Sequence, residues 1–474
     1  MAAIAGFDDA QAIMRRCRED PVWFITEVLG DRGWPGQYEV IEALRDNRHV
    51  AVKSCNSMGK DWISSRIALW FLYSFLPCVV ITTGPSDRQV KKILWRELAR
   101  AHARSRWPLG GKPLTQELTL DEDRYAIGFT TTDDPERFAG FHAPHILVIV
   151  DESSGVSKNV HDSIETILTS QNAYKLDIGN PTDAASEFAD FFKTPGIKKL
   201  SFSAFQTPNF TEFGLTQEDF EKDTWRDKIT GPLPMPMLIT PEWVAARLRK
   251  WGRDSPWYVS RILAEFPEAG EDTLIPMRLI EQAQNRTLEP GEPNVLGVDV
   301  ARFGTDMTVI AHRRGPVLRI HKRFGKVDTM TTTGHVRMAR RNTGAEVSIV
   351  DVIGVGAGVV DRLREQREPV REANAAEPPT DRERFLNARA EWFWTLREEL
   401  EQGNLDLSPD DEDMAAQLAD IRWKANSKGQ IVIESKDDMK KRGRSSPDDA
   451  DAAAHTFVGQ SGFIDKYRKA MERI

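Results

Sequence analysis

Cysteine is scarce in this 474-residue chain: Cys17, Cys55 and Cys78 are the only three, and no two stand at metal-ligand spacing. That excludes a zinc ribbon and a disulfide framework, and it fits a reduced, cytoplasmic setting. Long apolar runs are missing as well. Nothing approaches the ~20 residues that span a bilayer. The apolar start, residues 1–6, lacks the basic flank and long core of a signal peptide, so neither membrane insertion nor export is expected. Positive charge is not in surplus: the net charge is −8 and the pI about 5.7. A static nucleic-acid coat usually carries a pI above ~9, so any contact with nucleic acid should be local and transient. What the chain does have is length enough for two or three folding units, with 40% hydrophobic and 29% charged residues, as in globular proteins. It shows no internal repeat and no long low-complexity tract; 372–381 reads as its most flexible loop.

The sharpest local signal is Ile146-Leu147-Val148-Ile149-Val150 followed by Asp151 and Glu152. A continuous, mostly β-branched run reads as a parallel strand buried on both faces. Open α/β sheets bind ligands at the carboxyl ends of such strands. In a nucleotide-hydrolysing fold Asp151 can hold Mg²⁺ and Glu152 can orient the attacking water. An acid pair at a strand end is also an ordinary solvated turn. Weight comes from Ser54-Cys55-Asn56-Ser57-Met58-Gly59-Lys60-Asp61, which follows the strand-like run 49–53. Its spacing matches the phosphate loop Gly-x-x-x-x-Gly-Lys-[Ser/Thr], in which backbone N–H groups cradle phosphates and the Lys reaches the β/γ-phosphates. Ser54 replaces the first Gly, and Asp61 replaces the hydroxyl that meets Mg²⁺. Either Asp61 takes over as metal ligand, or it turns outward and favours the helix N-terminus.

Strands are expected at 49–53, 78–83, 125–130, 145–150 and 174–178, alternating with helices. Asn180, in the turn Gly179-Asn180-Pro181, could sit near the γ-phosphate, although Gly-Asn-Pro is also a common loop breaker. Along the expected helix 87–106, Lys92, Arg96, Arg100 and Arg104 share one face, either simply solvated or touching a phosphate backbone. Helices are expected at 241–251 and 256–264 in a Trp-, Arg- and Pro-rich segment, and Pro/Gly-rich stretches near 266–272 and 289–293 frame a boundary.

Beyond it the pattern restarts: a strand ending in Asp299, a turn, a strand over 307–312, a third over 317–324, a helix over 332–341 and a strand ending in Asp351. Ser446-Pro447-Asp448-Asp449 then opens a helix, with Ser446 as the expected cap and Pro447 in the first turn. Asp448 and Asp451 share a helix face that could look across at Asp299 and Asp351. Each acid alone is more often structural. Together, carboxylates from two strands and a helix can hold two divalent metals for phosphodiester cleavage, and oxygen-only ligands select Mg²⁺ or Mn²⁺.

With these motifs in place, nearly the whole chain resembles the large terminase subunits, DNA-packaging motors and nucleases of tailed bacteriophages. The run from Glu434 to Asp448 with Ala450-Asp451-Ala452 carries the likeness most specifically, helped by Phe385–Glu391 and Trp257–Arg261. The resemblance implies a P-loop (RecA-like) ATPase core over 1–204 with a lid subdomain over 205–270, a linker over 271–293, and a ribonuclease-H-like nuclease over 294–474. It implies ATP and Mg²⁺, with Mn²⁺ able to substitute in the nuclease. It makes Lys60 the phosphate ligand, Asp151 the Mg²⁺ ligand, Glu152 the catalytic carboxylate and Gln37, in Trp34-Pro35-Gly36-Gln37, an adenine contact; a plain helix-start Gln is the rival account. Asp299, Asp351 and Asp448 become nuclease metal ligands, with Asp451 a fourth carboxylate. The implied partners are double-stranded DNA, a portal protein and a small terminase subunit. The implied assembly is a homo-oligomeric ring docked on a procapsid in the bacterial cytoplasm, with a monomer in solution also admitted. Ring motors often complete a site with a neighbour's arginine; Arg137 is the candidate, against a plain surface loop arginine. The rival readings are a nuclease carried on a degenerate, non-motor ATPase adaptor, and another class of DNA translocase-nuclease.

Overall fold

The Val-, Ile- and Leu-rich runs pair into a sheet in each of two units. The computed structural model describes residues 7–130, 138, 140–268, 272–301, 307–325 and 327–459. One unit comprises Met1–Arg249 with Tyr258–Glu268, the other Lys250–Trp257 with Ala269–Ile474. Among the described residues no helix is long and apolar enough to cross a membrane.

The first sheet contains β1 (His49–Ser54), β2 (Cys78–Gly84), β3 (Glu117–Asp121), β4 (Arg124–Thr130), β5 (His145–Asp151), β6 (Asn172–Gly179) and β7 (Lys198–Phe202), in the order β3-β4-β2-β5-β6-β1-β7. Every neighbouring pair is parallel except β3 with β4. This is the α/β order of a P-loop fold, with β6 inserted between the two strands that end in the phosphate loop and the acid pair. The five expected strands are present. The two edge strands were not foreseen, because an edge buries little: β3 exposes Glu117 and Thr119 around Leu118, and β7 begins with exposed Lys198 and Lys199. Helices α1 (Pro35–Asp46), α2 (Lys60–Ser74), α3 (Trp95–Arg104) and α4 (Pro256–Arg261) belong to this part of the chain. The expected helix 87–106 instead begins as a π-helical segment, Arg88–Leu94, before α3. Lys92, Arg96 and Arg100 nevertheless line one cavity, so the expected face holds through the π-helical turn over these three. The helix expected over 256–264 stops at Arg261, and Ala264 turns left-handed at φ 58°.

The second sheet contains β8 (Asn294–Asp299), β9 (Thr308–Arg314), β10 (Val317–Phe324), β11 (Val347–Asp351), β12 (Val370–Ala373) and β13 (Asp406–Leu407), ordered β12-β11-β8-β9-β10-β13. β8, β9 and β10 form an antiparallel meander, and β11 and β12 add parallel beside β8. That mixed order is ribonuclease-H-like. Helices α5 (Thr329–Thr343) and α6 (Gly356–Glu365) cross to β11 and β12; α7 (Ala388–Glu401), α8 (Lys436–Lys441) and α9 (Asp448–His455) follow. Helix α9 lies close on β8: a Cβ at Gly297 would meet the Ala452 carbonyl oxygen at 2.1 Å, so glycine lets the helix bring its acids to the strand end. The helix start is shifted by one from expectation. Asp451 N–H donates to the Pro447 carbonyl at 2.8 Å, which makes Pro447 the cap, and Ser446 Oγ makes no bond.

Beneath the first sheet's acid pair lies a buried ionic knot. Asp177 of β6 is fully buried; its Oδ2 is 2.7 Å from His49 Nε2 and 3.6 Å from Lys175 Nζ, and its Oδ1 accepts from Ser153 Oγ at 2.8 Å. His161 Nδ1 stands 3.7 Å away. Burial opposes ionising Asp177, but Lys175 and the two imidazoles outweigh it and hold the carboxyl below its ordinary range. The bond to Ser153 anchors the residue after Glu152. Asp177→Asn should cost about 3 kcal/mol, since it removes the buried charge facing His49 and Lys175, although Lys175 keeps Glu165 at 2.9 Å. Because the folded pKa is depressed, this stabilisation is complete above the unfolded value of ~4 and drains away as pH falls below it. Urea melts from pH 7 to 3 should show a shallower acid-side loss in the variant than in the wild type.

Candidate active sites

β1 ends at Ser54 and the chain turns back through Ser57 (φ 52°) and Gly59 (φ 89°), entering α2 at Lys60. Gly59 is required twice over: its φ is left-handed, and a Cβ would meet Gln37 Nε2 at 2.2 Å. The loop is fastened on every side. Trp34 Nε1 donates to the Met58 carbonyl at 3.1 Å, and Gln37 Nε2 donates to the Met58 and Gly59 carbonyls at 3.3 and 3.2 Å. Cys55 N–H donates to Phe202 O at 2.8 Å, and Ile239 N–H to Ser57 O at 3.2 Å. Burial pushes the Cys55 thiol up to about 12, so it is inert packing. Gln37 also closes the start of α1, its Oε1 accepting from Trp34 N–H at 3.2 Å. The side chain expected at adenine thus holds the loop and the helix start together, and it also lines the cavity beside the loop.

Asn180 is the hub of the site. Its Oδ1 accepts from Lys60 Nζ at 3.0 Å, its Nδ2 donates to Ser54 O at 2.6 Å, and its N–H donates to Glu152 Oε2 at 3.3 Å. Lys60 Nζ also lies 3.3 Å from Glu152 Oε1. Glu152 itself is left-handed at φ 46°, and β6 passes beneath it so closely that a Cβ on Gly179 would stand 3.2 Å from Glu152 Cα. Burial opposes charge on Glu152, but Lys60 and then Arg261 outweigh it, keeping the carboxylate ionised. Asp151 is the opposite case. Burial, then the charges of Asp61 and Glu152, hold it well above the ordinary range, and its buried Oδ1 has no hydrogen-bond partner. Burial raises Asp61, Lys60 opposes it, and Glu152 adds to it, so the three groups sense one another's charge. Carboxylate oxygens, the bare Asp151 Oδ1 among them, are the donor type that suits Mg²⁺, although among the described residues no three such side chains close on one point. Beside them a cavity of about 530 Å³ is lined by Gln37, Gly59, Asp61, Lys92, Arg96 and Arg100, which puts three of the four basic-stripe residues next to the loop; Arg104 is not among its lining. Arg137 lies outside the described residues.

In the second sheet, Asp299 ends β8, Asp351 ends β11, and Asp448 and Asp451 stand in the first turn of α9. Asp299, Asp448 and Asp451 are buried and Asp351 half-buried. Burial holds Asp299 well above the carboxylate range; Lys436 relieves this in part, while Asp451, Asp448 and Asp351 add to it. All four therefore share one electrostatic neighbourhood. Asp448 Oδ2 accepts from Met307 N–H at 2.8 Å. Two cations missed in the sequence complete the set. Lys436 Nζ bridges Asp299 Oδ2 at 3.4 Å and Asp451 Oδ2 at 2.9 Å, and Arg389 lies 3.1 Å from Asp451 Oδ1. Burial resists charging Asp451, but Arg389 and Lys436 prevail and bring it to about 2. Both cations fall in segments whose resemblance is noted above, yet no spacing rule connects them to acids so far along the chain. Among the described residues no three His, Cys, Asp or Glu side chains close on one point as metal ligands do. The Lys436 ammonium supplies positive charge between Asp299 and Asp451, and the all-oxygen donor set fits Mg²⁺ or Mn²⁺. Asp449 points elsewhere, to Arg323 at 2.9 Å.

No family model matches the chain. It is 25% identical over 471 residues to a probable large terminase subunit of Enterobacteria phage P7, covering 90% of this chain and 91% of that one. Among solved structures, the nuclease domain of the large terminase subunit gp2 of bacterial virus Sf6 aligns with 38% of this chain and 96% of its own, at 21% identity and TM-score 0.36. The large terminase of a thermophilic bacteriophage aligns with 91% of this chain and 100% of its own, at 12% identity and TM-score 0.41. The motifs, the two sheet orders and the alignment with the phage P7 protein agree: along nearly its whole length this chain is similar to the large terminase subunits.

Proposed function

We propose that the chain hydrolyses ATP at the phosphate loop to drive double-stranded DNA into a viral procapsid, and cuts the DNA at the carboxylate cluster of the second sheet. The observation that carries the first half is the double tether of Lys60, to Asn180 at 3.0 Å and Glu152 at 3.3 Å, which joins the loop to the acid turn. The likeness to the phage P7 protein supports the second half and the setting: a bacterial host's cytoplasm, with portal protein, small terminase subunit and a ring of copies on the procapsid as partners.

Lys60 binds the β/γ-phosphates, releasing Asn180 and Glu152 as the phosphates take its ammonium. Glu152, kept ionised, orients a water whose oxygen bonds to the γ-phosphorus. The bond to the β–γ bridging oxygen breaks, ADP leaves with that electron pair, and the water's proton passes to Glu152. Asp151 and Asp61 would hold Mg²⁺, which would neutralise phosphate charge. In the second site Asp299, Asp351, Asp448 and Asp451 would hold Mg²⁺ or Mn²⁺, which supplies an activated water and a stabilised leaving oxygen. Arg389 and Lys436 keep Asp451 ionised and ready to bind.

The two chemistries should separate under substitution. Lys60→Ala or Glu152→Ala should lower ATP hydrolysis by about 100-fold or more while sparing metal-dependent cutting. Asp299→Asn, Asp351→Asn and Asp448→Asn should abolish cutting and spare hydrolysis, with Asp451→Asn less complete. Phosphate release and plasmid nicking, assayed side by side, decide it. Normal hydrolysis by Lys60→Ala would mean that the nucleotide site is misplaced, and nicking by Asp299→Asn without added metal would sink the cluster's role.

Asp61 carries a separate prediction. As a metal ligand, its replacement in Asp61→Ala should raise the Mg²⁺ concentration needed for half-maximal hydrolysis by about tenfold, and Asp61→Thr should restore most of the rate. An unchanged Mg²⁺ titration would return Asp61 to a helix-start acid.

A further inference from the structure

Helix α9 carries two of the four acids of the second site in its first turn, yet the residues before it leave that turn without a side-chain cap. Pro447 has no side-chain acceptor to offer, and Ser446 Oγ makes no bond. The N–H groups of the second and third helical residues, which a capping side chain ordinarily satisfies, are met from another helix. Gln417, on the helix Glu412–Asp420, accepts with its Oε1 from Asp449 N–H at 2.8 Å and from Ala450 N–H at 3.1 Å. Its Nε2 donates to Asp449 Oδ2 at 3.3 Å. Asp449 Oδ1 accepts from Arg323 Nε of β10 at 2.9 Å. Arg323 also pairs with Asp411, whose Oδ2 accepts from Ile320 N–H on the same strand at 3.3 Å. The stretch between Asp448 and Asp451 is thus clamped from outside the helix.

We propose that Gln417 is a positioning residue of the second site: its carboxamide fixes the start of α9 and so sets the placement of Asp448 and Asp451 against the strand acids Asp299 and Asp351. This rests on the metal-dependent cutting reading above. Asp299 and Asp351 are held by the sheet, since they end β8 and β11. Asp448 and Asp451 belong to a helix of eight residues, and fraying or rotation of its first turn moves both. Carboxylates that share divalent ions must be held to within about 0.5 Å. A carboxamide suits the task because it has both an acceptor and donors. Its oxygen meets two backbone N–H groups, while its NH₂ meets the Asp449 carboxylate and locks the amide's orientation. A carboxylate at 417 would still accept from both N–H groups but would face Asp449 with like charge. An apolar side chain would leave both N–H groups unmet, at the cost of burying them unsatisfied. Gln417 acts through the backbone of α9 and not on the reacting atoms.

The test uses the full chain and plasmid nicking followed over a Mn²⁺ titration. Gln417→Leu should raise the Mn²⁺ concentration for half-maximal nicking by about tenfold, with ATP hydrolysis within about twofold of wild type. Gln417→Glu should raise it by about fivefold. Combining Gln417→Glu with Asp449→Asn exchanges donor and acceptor: the amide at 449 donates to the carboxylate at 417, and its oxygen still accepts from Arg323. That double variant should return the midpoint to within about threefold of wild type. A glutamine that only stabilises the fold would lower the melting temperature and the amount of active protein while leaving the Mn²⁺ midpoint in place. An unshifted midpoint in either single variant would overturn the inference, as would a double variant shifted as far as Gln417→Glu alone. Should Gln417→Leu melt early, Gln417→Glu and the double variant decide by themselves. Asp299→Asn run in parallel keeps the two claims apart. Nicking by that variant without added metal would defeat the cluster's role itself, whereas metal-dependent wild-type nicking with unshifted Gln417 variants would defeat this inference alone.

Discussion

The carboxamide of Asn180 is the constraint on which the first site depends. One short side chain at the end of β6 accepts from Lys60 and donates to Ser54, while its own N–H holds Glu152. It can do so because β6 lies between β1 and β5, so the turn after it sits between the phosphate loop and the acid pair. Gly179 permits the close backbone approach, and Asp177, two residues earlier on the same strand, fixes Ser153 from below. Loop, acid turn and β6 thus form a single hydrogen-bonded body, and a shift in any one is felt by the others. Under the proposed function, such a connection would carry a change at the phosphate loop to the acid turn and to β6.

Both sites solve the same electrostatic problem with different counter-charges. Each gathers carboxyls that burial and mutual repulsion make reluctant to ionise, as with Asp151 and Asp299. Each keeps one carboxylate charged by pairing it with two cations: Glu152 with Lys60 and Arg261, Asp451 with Arg389 and Lys436. Clusters of this kind cost stability, since desolvated acids need partners. In the proposed reading, clusters at strand ends that cost stability serve to receive cations and phosphates.

How much of this was legible in the sequence follows from the range of the interactions. The β5 run and the loop 54–61 are local patterns whose periodicity and spacing announce themselves, and the meander β8-β9-β10 was visible in the same way. Edge strands β3 and β7 were not, because they bury too few side chains to leave a pattern. The π-helical entry to α3 was missed because the repeat of basic residues looks the same with or without a π turn. Asp299, Asp351, Asp448 and Asp451 could be nominated because each sits at a strand or helix end. Lys436, Arg389, Arg261 and Asp177 act through partners far off in the chain, and only the folded sheets bring them within reach. Gln37 was seen through its motif, and the structure adds what the motif did not announce, its amide bonds to the loop backbone.

The central claim is that one chain carries two cation-dependent sites of different chemistry, one on each sheet. Anomalous diffraction from crystals grown with Mn²⁺ and a non-hydrolysable ATP analogue tests it most directly. The account predicts manganese beside Asp151 with the analogue's phosphates on Lys60, and separate manganese among Asp299, Asp351, Asp448 and Asp451. Analogue bound away from Lys60, or manganese absent from either acid cluster at saturating metal, would contradict it.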